Sequence, residues 1–250
     1  MAFRLRHLIR LAAFAALFPA AVATLPGQTG DGKAPPPAFT VCALDDSPLW
    51  TQLYYLPAPP KPPVKLGALG NRRSAPVKIT GNALPLVFGV ERVDPETQKP
   101  IYVPVVEVAW PGDARNALVI LVPGTTQTSP RALAIDDGQK AFPLRSVRVF
   151  NATGATFLAR IAEFQGELPP GVSPAHPYKI ASETDLTQVG AFPLALAVND
   201  SQRAPRVVYN SYADAWPLGR SLLHILPPAP GSDTLRIGAL VDAPLPETQR

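Results

Sequence analysis

Ala109-Trp110-Pro111, followed by residues 115–137 (RNALVILVPGTTQTSPRALAIDD), recurs as Ala215-Trp216-Pro217, followed by residues 220–242 (RSLLHILPPAPGSDTLRIGALVD). Laid over each other without a gap, the two longer stretches carry the same residue at several matching positions. These are Arg115/Arg220, Leu118/Leu223, Ile120/Ile225, Leu121/Leu226, Pro123/Pro228, Arg131/Arg236, Ala134/Ala239 and Asp137/Asp242. A repeat of about 100 residues is longer than the unit of a solenoid protein. The sequence therefore predicts two tandem copies of a small domain.

Shorter landmarks upstream keep the same order in both copies. Pro76-Val77-Lys78-Ile79 is matched by Pro177-Tyr178-Lys179-Ile180, and Leu84-Pro85-Leu86 is matched by Phe192-Pro193-Leu194. The Leu-x-Ile-Leu pattern within each long stretch places apolar residues at successive positions. Because neighbouring side chains of a strand point to opposite faces, this pattern predicts a strand that is buried on both faces.

Two repeated arginines flank these buried strands. Arg115 and Arg220 precede them, and Asp137 and Asp242 follow the next strand in each copy. We expect the arginines to pair with carboxylates near these aspartates, in ion pairs worth about 0–1 kcal/mol at a surface. The repeated positions are interpreted as structural, because duplicated positions more often preserve a fold than a site.

Proline is unusually frequent, with 32 prolines in 250 residues. Because proline removes a backbone donor and breaks helices, little room is left for long helices. Short apolar runs separated by turn residues instead predict seven strands in each copy. They are residues 39–43, 51–56, 77–79, 84–90, 101–108, 117–122 and 132–135, then 146–150, 156–161, 178–180, 194–198, 207–212, 222–226 and 235–241. The predicted fold class is all-β, with two tandem immunoglobulin-like, antiparallel β-sandwich domains arising from an internal duplication.

The N-terminus has the pattern of a secretory signal peptide. Arg4, Arg6 and Arg10 precede an apolar run over residues 11–22, and Ala21-Val22-Ala23 is a small-x-small cleavage site. An uncleaved anchor is the alternative, but the run is shorter than the roughly 20 residues that span a bilayer. We expect an exported protein, periplasmic or extracellular, with no transmembrane segment after signal removal.

Composition sets the expected domain boundaries. They are a signal peptide over residues 1–23, a Gly/Pro-rich flexible leader over 24–37, a first β-sandwich domain over 38–143, a second over 144–243, and a disordered tail over 244–250. Each of the two domains has the size of a common small domain and can bury a modest core of its own.

Charge and cysteine content exclude further classes of function. The chain has 23 Lys and Arg against 19 Asp and Glu, and removal of the three signal-peptide arginines leaves 20 against 19. This balance lacks the basic footprint of a nucleic-acid-binding protein. Cys42 is the only cysteine, so no disulfide can form within the chain, and its apolar neighbours predict burial on a strand.

The residue patterns point to no catalytic residues, no cofactor and no metal ion. His176 and His224 remain after export, without the spacing of zinc ligands. His224 stands where the first copy has Val119, which indicates a surface or edge position. Asp136-Asp137 fits a solvated strand end, with calcium ligation as the alternative. We therefore expect a protein that is not an enzyme.

The densest aromatic segment, residues 49–56, is the candidate binding region. On a strand, Trp50 and Tyr54 share one face, and exposed aromatic rings stack on sugars or on a protein partner. Trp50 and Tyr54 form the tentative binding face. The alternative is that one face of this segment belongs to the core, because aromatic residues usually serve packing.

A stretch in the middle of the chain resembles a known family. Ala134-Ile135-Asp136-Asp137, then Phe142-Pro143, then Val147-Arg148-Val149-Phe150-Asn151-Ala152-Thr153-Gly154 resemble an apolar strand ending in Asp-Asp, a Phe-Pro pair and an Arg-x-x-Asn-x-Thr/Ser-Gly hairpin. This pattern is similar to that of exported, uncharacterised two-domain β-rich proteins of Verrucomicrobia and their relatives, and it extends over about residues 118–171. The resemblance implies the fold and the compartment, and brings no activity, cofactor or catalytic residue.

These observations favour a non-enzymatic exported structural or protein-interaction module of the cell envelope. Such a protein presents sheet edges and loops to an envelope protein or a surface polysaccharide. A carbohydrate-binding accessory protein that uses Trp50 and Tyr54 is the first alternative. A hydrolase whose carboxylates converge between the two domains is the second, and it requires acidic side chains within about 5–10 Å of each other.

Overall fold

β-Strands make up nearly all of the secondary structure in the part of the chain that the structure describes. The computed structural model describes residues 36–67, 69–70, 72–79, 84–122, 124, 130–180, 188–199 and 204–242. These residues form seventeen strands and one short 3-10 helix, which confirms the all-β class. The expected signal peptide (residues 1–23), residues 24–35 of the expected leader and the expected tail (residues 244–250) lie outside the described residues.

The first half of the described chain contributes eight strands, which pair into two sheets. They are β1 (Ala38–Ala43), β2 (Leu53–Tyr55), β3 (Val64–Lys65), β4 (Val77–Lys78), β5 (Leu86–Val93), β6 (Pro100–Val108), β7 (Asn116–Val122) and β8 (Arg131–Asp136). The first inner sheet has the order β4-β1-β7-β8, and the first outer sheet has the order β3-β2-β5-β6. The 3-10 helix, Pro48–Gln52, connects β1 to β2.

The second half contributes nine strands, which also pair into two sheets. They are β9 (Ser146–Asn151), β10 (Phe157–Ile161), β11 (Phe164–Leu168), β12 (Gly171–Val172), β13 (His176–Pro177), β14 (Gly190–Val198), β15 (Arg206–Ala215), β16 (Arg220–Leu226) and β17 (Arg236–Asp242). The second inner sheet has the order β12-β9-β16-β17, with β13 also paired to β9. The second outer sheet has the order β11-β10-β14-β15.

The strand order of the second half follows that of the first, with β12 as an extra edge strand. Both outer sheets have a β-bulge at the corresponding place, between Phe88 and Gly89 in β5 and between Leu196 and Ala197 in β14. Each inner sheet contains one parallel pair, β1 with β7 and β9 with β16. The expectation of a purely antiparallel sandwich is therefore wrong for the inner sheets. In both of them a long crossover brings two strands distant in sequence side by side.

The four sheets are stacked in the order first outer, first inner, second inner and second outer. One hydrophobic cluster lies between each pair of neighbouring sheets. The first core lies between the first outer and inner sheets, where Phe39 of β1 makes edge-to-face contacts with Tyr55 of β2 and Phe88 of β5. The second core lies between the second inner and outer sheets and includes Val149 and Leu196. The central core joins the two inner sheets. Its members include Cys42, Leu118, Ile120, Ile135, Phe142, Phe150, Leu222, Leu226 and Leu240.

The position of the inner sheets explains why their strands are apolar on both faces. In β7, Val119 faces the first core while Leu118 and Ile120 face the central core. All residues of β7 after Asn116, and all residues of β16 after Arg220, are buried. The predicted burial of the Leu-x-Ile-Leu strands on both faces is confirmed.

Side-chain alternation shows that the gapless sequence overlay is displaced by one residue on β7 and β16. Leu118 faces the central core, whereas its overlay partner Leu223 faces the second core. It is Leu222 that faces the central core and pairs with Leu240, just as Leu118 pairs with Ile135. The connection from β16 to β17 is therefore one residue longer than that from β7 to β8. Since a shift of one residue turns every side chain to the other face, this extra residue decides which positions correspond.

Most predicted strands are present, with ends displaced by a few residues. Residues 51–52 belong to the 3-10 helix rather than to a strand, and residues 178–180 follow β13 without forming a strand. The sequence does not predict β3, β11, β12 or β13. Three of these have only two residues each, and β11 contains Gly166 among polar residues and lacks a clear apolar alternation.

The boundary predicted at residues 143–144 falls in the connection between β8 and β9. The described residues of both halves nevertheless belong to one compact unit, which the central core holds together. The division into two domains at this boundary stays a prediction. None of the helices in the described ranges is long and apolar enough to cross a membrane.

Candidate functional site

The two long edge strands of the outer sheets, β6 and β15, hold corresponding places but differ in sequence. Each hydrogen-bonds to one neighbouring strand, and no other described strand hydrogen-bonds to its free edge. Strand β6 contains Pro100 and Pro104, and proline on an edge strand blocks pairing with another chain. Strand β15 has ten residues and no proline. Its side chains Val207 and Tyr212 are 62% and 74% exposed, and β15 lacks the proline block of β6.

A cleft opens beside β15 in the second half. It has a volume of about 220 Å³ and lies between β15 and β17, the edge strands of the second outer and inner sheets. Leu194 and Leu223 of the second core form its apolar base, and Tyr209, Ala213 and Ile237 line its sides. The cleft thus gives access from the surface to the edge of a hydrophobic core.

The corresponding edge of the first half is closed. There β6 packs directly against β8. Apolar residues of β6 and β8 pack against the first core, as those of β15 and β17 pack against the second, so the direct contact of β6 with β8 is what distinguishes the first half. An extended chain arriving at β6 therefore meets prolines and a closed sandwich, whereas at β15 it meets unpaired backbone and an apolar cleft.

Charged residues mark the two ends of the β15–β17 cleft. The turn from Trp216 to Gly219, closed by a backbone hydrogen bond of 3.2 Å, links β15 to the start of β16. At that start Arg220 pairs with Asp242, the last residue of β17, so β15 and β17 finish at the same end of the sandwich. Asp214 lies at this end, and Arg206 and Arg236 lie at the other. Asp214 thus lines one end of the cleft, and Arg236 flanks the other end next to Ile237 of the lining.

A second cluster of polar residues joins the two halves beside the central core. Arg73 makes a two-pronged contact with Asp137, at 2.6 and 3.1 Å, and lies 3.5 Å from Asp242. Arg220 lies 2.9 Å from Asp242 through Nε and 3.2 Å from Asp137 through Nη2. Although burial alone lowers the pKa of Arg73, the hydrogen bond and charge of Asp137 raise it above its ordinary value.

Arg220 is the centre of this network. Its Nη1 donates to the backbone carbonyls of Asp137 and Phe142, at 2.9 and 2.8 Å, and its guanidinium lies 4.8 Å from the centre of the Phe142 ring. The expected partnership with carboxylates is thus confirmed for Arg220. It is wrong for Arg115, which is exposed and forms no ion pair with a described carboxylate. Arg73, which the overlay does not single out, is the second arginine of the network.

The ion network borders a shallow cleft of about 610 Å³, which also contacts Leu144 and Leu218. Asp137 and Asp242 do converge here from the two halves, as the hydrolase alternative requires. Both carboxylates are bound by the same two guanidinium groups. This arrangement ties the halves together and does not offer a free acid and base on either side of a substrate.

Two buried titratable groups have strongly shifted pKa values. Burial raises the pKa of the Cys42 thiol to about 12, and the predicted burial of this cysteine is confirmed. Burial lowers the pKa of His224 to about 4, and the charge of Arg236 adds to this effect. His224 is only 6% exposed on an interior strand. The expectation of a surface or edge position for His224 is therefore wrong, because the one-residue displacement puts it in the place of buried Ile120.

The structure does not form the tentative face of Trp50 and Tyr54. Trp50 lies on the 3-10 helix, is 2% exposed, and donates a hydrogen bond from its indole to Asp45. Tyr54 lies on β2, half-buried, and its hydroxyl lies 2.9 Å from Glu91. Its ring makes an edge-to-face contact with Tyr102 of β6, with ring centres 5.0 Å apart. Trp50 thus serves packing, as the alternative interpretation held.

The described residues contain no group of three or more His, Cys, Asp or Glu side chains that could hold a metal ion. No protein-family model and no curated protein matches the chain. The resemblance to the exported proteins of Verrucomicrobia therefore stays a prediction.

Sequence reasoning missed the β15–β17 cleft altogether. One signal for it was present, since β6 carries prolines and β15 carries none. The prolines alone predict only where an edge is guarded. The separation of β15 from β17 depends on packing between strands that lie more than twenty residues apart, and no local pattern reports it.

Proposed function

We propose that this protein is a non-enzymatic, exported interaction module of the cell envelope that binds a protein partner through β15. One observation carries the proposal: β15 is a ten-residue edge strand without proline, next to a cleft that reaches the second core. An edge of unpaired backbone groups is a template for strand addition, which natural proteins usually block. In this chain proline blocks the edge of the first half, whereas β15 of the second half contains no proline.

The proposal includes the origin of the fold. Two tandem immunoglobulin-like sandwiches, related by duplication, account for the shared strand order and for the β-bulge at corresponding places. The repeated residues of the sequence support the same origin. Export to the periplasm or the cell exterior is proposed from the N-terminal signal pattern and from the resemblance to exported proteins.

The two alternatives have less support. Sugar binding now depends on Tyr54 and Tyr102 alone. Their rings meet at 64° and so offer no flat platform, and the Tyr54 hydroxyl is already engaged by Glu91. Hydrolysis depends on Asp137 and Asp242, which the arginine network occupies.

Photo-crosslinking tests the proposal. A benzophenone amino acid is placed at Tyr212 of β15 or, as the matched control, at Tyr102 of β6, since both side chains are exposed. The mature protein is then irradiated in native envelope extract. We expect adducts with one defined protein, identified by mass spectrometry, from Tyr212 only and reduced by excess unlabelled protein. Equal adducts from both positions, or none, would contradict the proposal. Retention on a polysaccharide array that is lost in Tyr102→Ala would favour sugar binding.

A further inference from the structure

We infer that the β15–β17 cleft takes an extended peptide segment of the partner, which pairs antiparallel to β15 and inserts alternate apolar side chains into the cleft. This inference rests on the proposed function and specifies its ligand. The backbone of β15 supplies the pairing, and the base formed by Leu194 and Leu223 supplies the apolar contact. Strand addition uses both elements, because main-chain bonds give affinity and pockets for alternate side chains give specificity.

The shape of the cleft defines the spacing of the ligand side chains. It is a narrow space of about 220 Å³ between two strands, with Ala213 and Ala239 as small residues on its walls. A strand laid along β15 points every second side chain towards the cleft and the others towards solvent. The ligand is therefore an extended segment with medium-sized apolar residues at every second position.

The charges near the ends of the cleft define the direction in which the segment binds. Asp214 lies near the end of β15, and Arg206 and Arg236 lie at the opposite end. A segment antiparallel to β15 begins near Asp214 and finishes near the arginines. Complementary charge therefore calls for a basic residue at the start of the segment and an acidic residue at its end.

The two segments that flank the described strands at either end of the chain do not have this chemistry. Residues 243–250 follow β17 directly but contain Pro244 and Pro246, which cannot pair as a central strand. Residues 24–35 are rich in glycine and lack alternating apolar residues. In a second copy of the chain, the inward side chains of β15 already face its own second core, so that strand cannot fill the cleft. The ligand is a free extended segment of another protein.

The test uses the mature chain and the probe peptide acetyl-Lys-Ser-Val-Thr-Val-Thr-Val-Ser-Asp-amide, labelled with a fluorophore for anisotropy. Two versions carry N-methyl groups on one or the other set of alternate amides, and a third exchanges the terminal Lys and Asp. Because a strand bonds its neighbour through alternate amides, one N-methylated version should keep its affinity and the other should lose it at least about tenfold. The charge-exchanged peptide should bind several-fold more weakly.

Matched variants locate the site. Ala213→Leu fills the cleft and should weaken binding about tenfold, whereas Ala195→Leu, on the outer face of neighbouring β14, should leave it unchanged. Asp214→Lys should reverse the preference between the two charge versions, and Glu107→Lys on β6 should not. Asp214 and Glu107 are exposed, so these variants test the site even if Ala213→Leu does not fold.

Several results would overturn the inference. They are equal affinity of both N-methylated peptides, insensitivity to Ala213→Leu and Asp214→Lys, or no binding at millimolar peptide. A dimer in sedimentation that the peptide does not dissociate would assign the edge to a second copy. Partner adducts at Tyr212 without peptide binding would leave the proposed function intact and reject only the extended-segment ligand. Peptide binding without partner adducts would support the cleft and count against the proposed envelope partner.

Discussion

The first half of the chain closes its sandwich where the second half leaves a cleft, although the strands concerned hold corresponding places. In the first half β6 packs against β8 and contains two prolines. In the second half β15 contains no proline, and a cleft of about 220 Å³ lies between it and β17. Prolines therefore block strand pairing at the edge of the first half, and the corresponding edge of the second half lacks this block.

A second difference concerns the two arginines that the sequence overlay aligns, Arg115 and Arg220. Arg220 of the second half contacts both aspartates and two backbone carbonyls around residues 137–142. Its counterpart in the sequence overlay, Arg115, is exposed. The first half contributes Arg73, which contacts Asp137 and Asp242, so the two halves supply one arginine each but from different places in the fold.

Replacing each of the two repeated arginines in turn should give the largest difference in stability between the two halves. Arg220→Met removes one of the two guanidinium partners of Asp137 and Asp242 and the donor to two backbone carbonyls, while Arg73 still contacts both carboxylates. We therefore expect a loss of about 3 kcal/mol in the free energy of unfolding, the low end of the cost of breaking a buried ion pair. Urea unfolding measures it.

Arg115→Met is the matched control for this substitution. Because Arg115 is exposed, we expect a change within about 0.5 kcal/mol. Similar losses in the two variants would show that the network does not distinguish the halves. A large loss for Arg115→Met alone would restore the symmetric pairing that the sequence predicts.

The sequence predicts the fold class and most strands because these depend on local patterns. Proline frequency excludes long helices, and runs such as residues 117–122 show apolar residues on both faces. The strand-like pattern of residues 49–56 conceals the place of Trp50, although Ser47-Pro48 is a typical helix start and the 3-10 helix begins there. The repeat misleads at His224, because one extra residue between β16 and β17 changes its face without reducing the number of identities in the overlay.

The site is harder to predict than the fold because it depends on distances between strands. Nothing near Arg73 in the sequence indicates that it meets Asp137, 64 residues away. The β15–β17 cleft likewise exists only because two sheets separate at one edge. The sequence does show that β15 lacks proline. This difference becomes informative only when the structure shows that β15 and β6 hold corresponding places.

The pH dependence of stability should distinguish His224 from Ile120, which holds the corresponding place in the first half. The pKa of His224 is lowered from 6.5 to about 4 by burial and by Arg236, so the unfolded chain binds a proton more readily than the folded one. Its contribution is fully present above pH 6.5, falls as the pH decreases towards 4, and is lost below that value. The total loss is about 3 kcal/mol.

Chemical unfolding between pH 7 and pH 4 measures this effect, with His224→Ile as the comparison because it gives the second half the residue of the first. We expect the variant to lose less stability over this interval than the wild-type protein. Other groups, such as half-buried His176, titrate equally in both proteins, so the difference between the two curves reports His224 alone. Parallel curves would mean that this imidazole is accessible to protons in the folded state.

The smallest expected effect concerns the residue opposite His224. Gly238 pairs with His224 across β16 and β17, whereas Leu133 pairs with Ile120 in the first half. A Cβ atom on Gly238 would lie 2.5 Å from His224 Nε2, so Gly238→Ala should destabilise the fold by about 1–3 kcal/mol. Gly154→Ala, with no atom within 4 Å of the added carbon, is the control and should change stability little. If the imidazole causes the clash, Gly238→Ala should cost little stability in a protein that already carries His224→Ala. If Gly238→Ala costs as much in that background as in the wild-type protein, another contact requires this glycine.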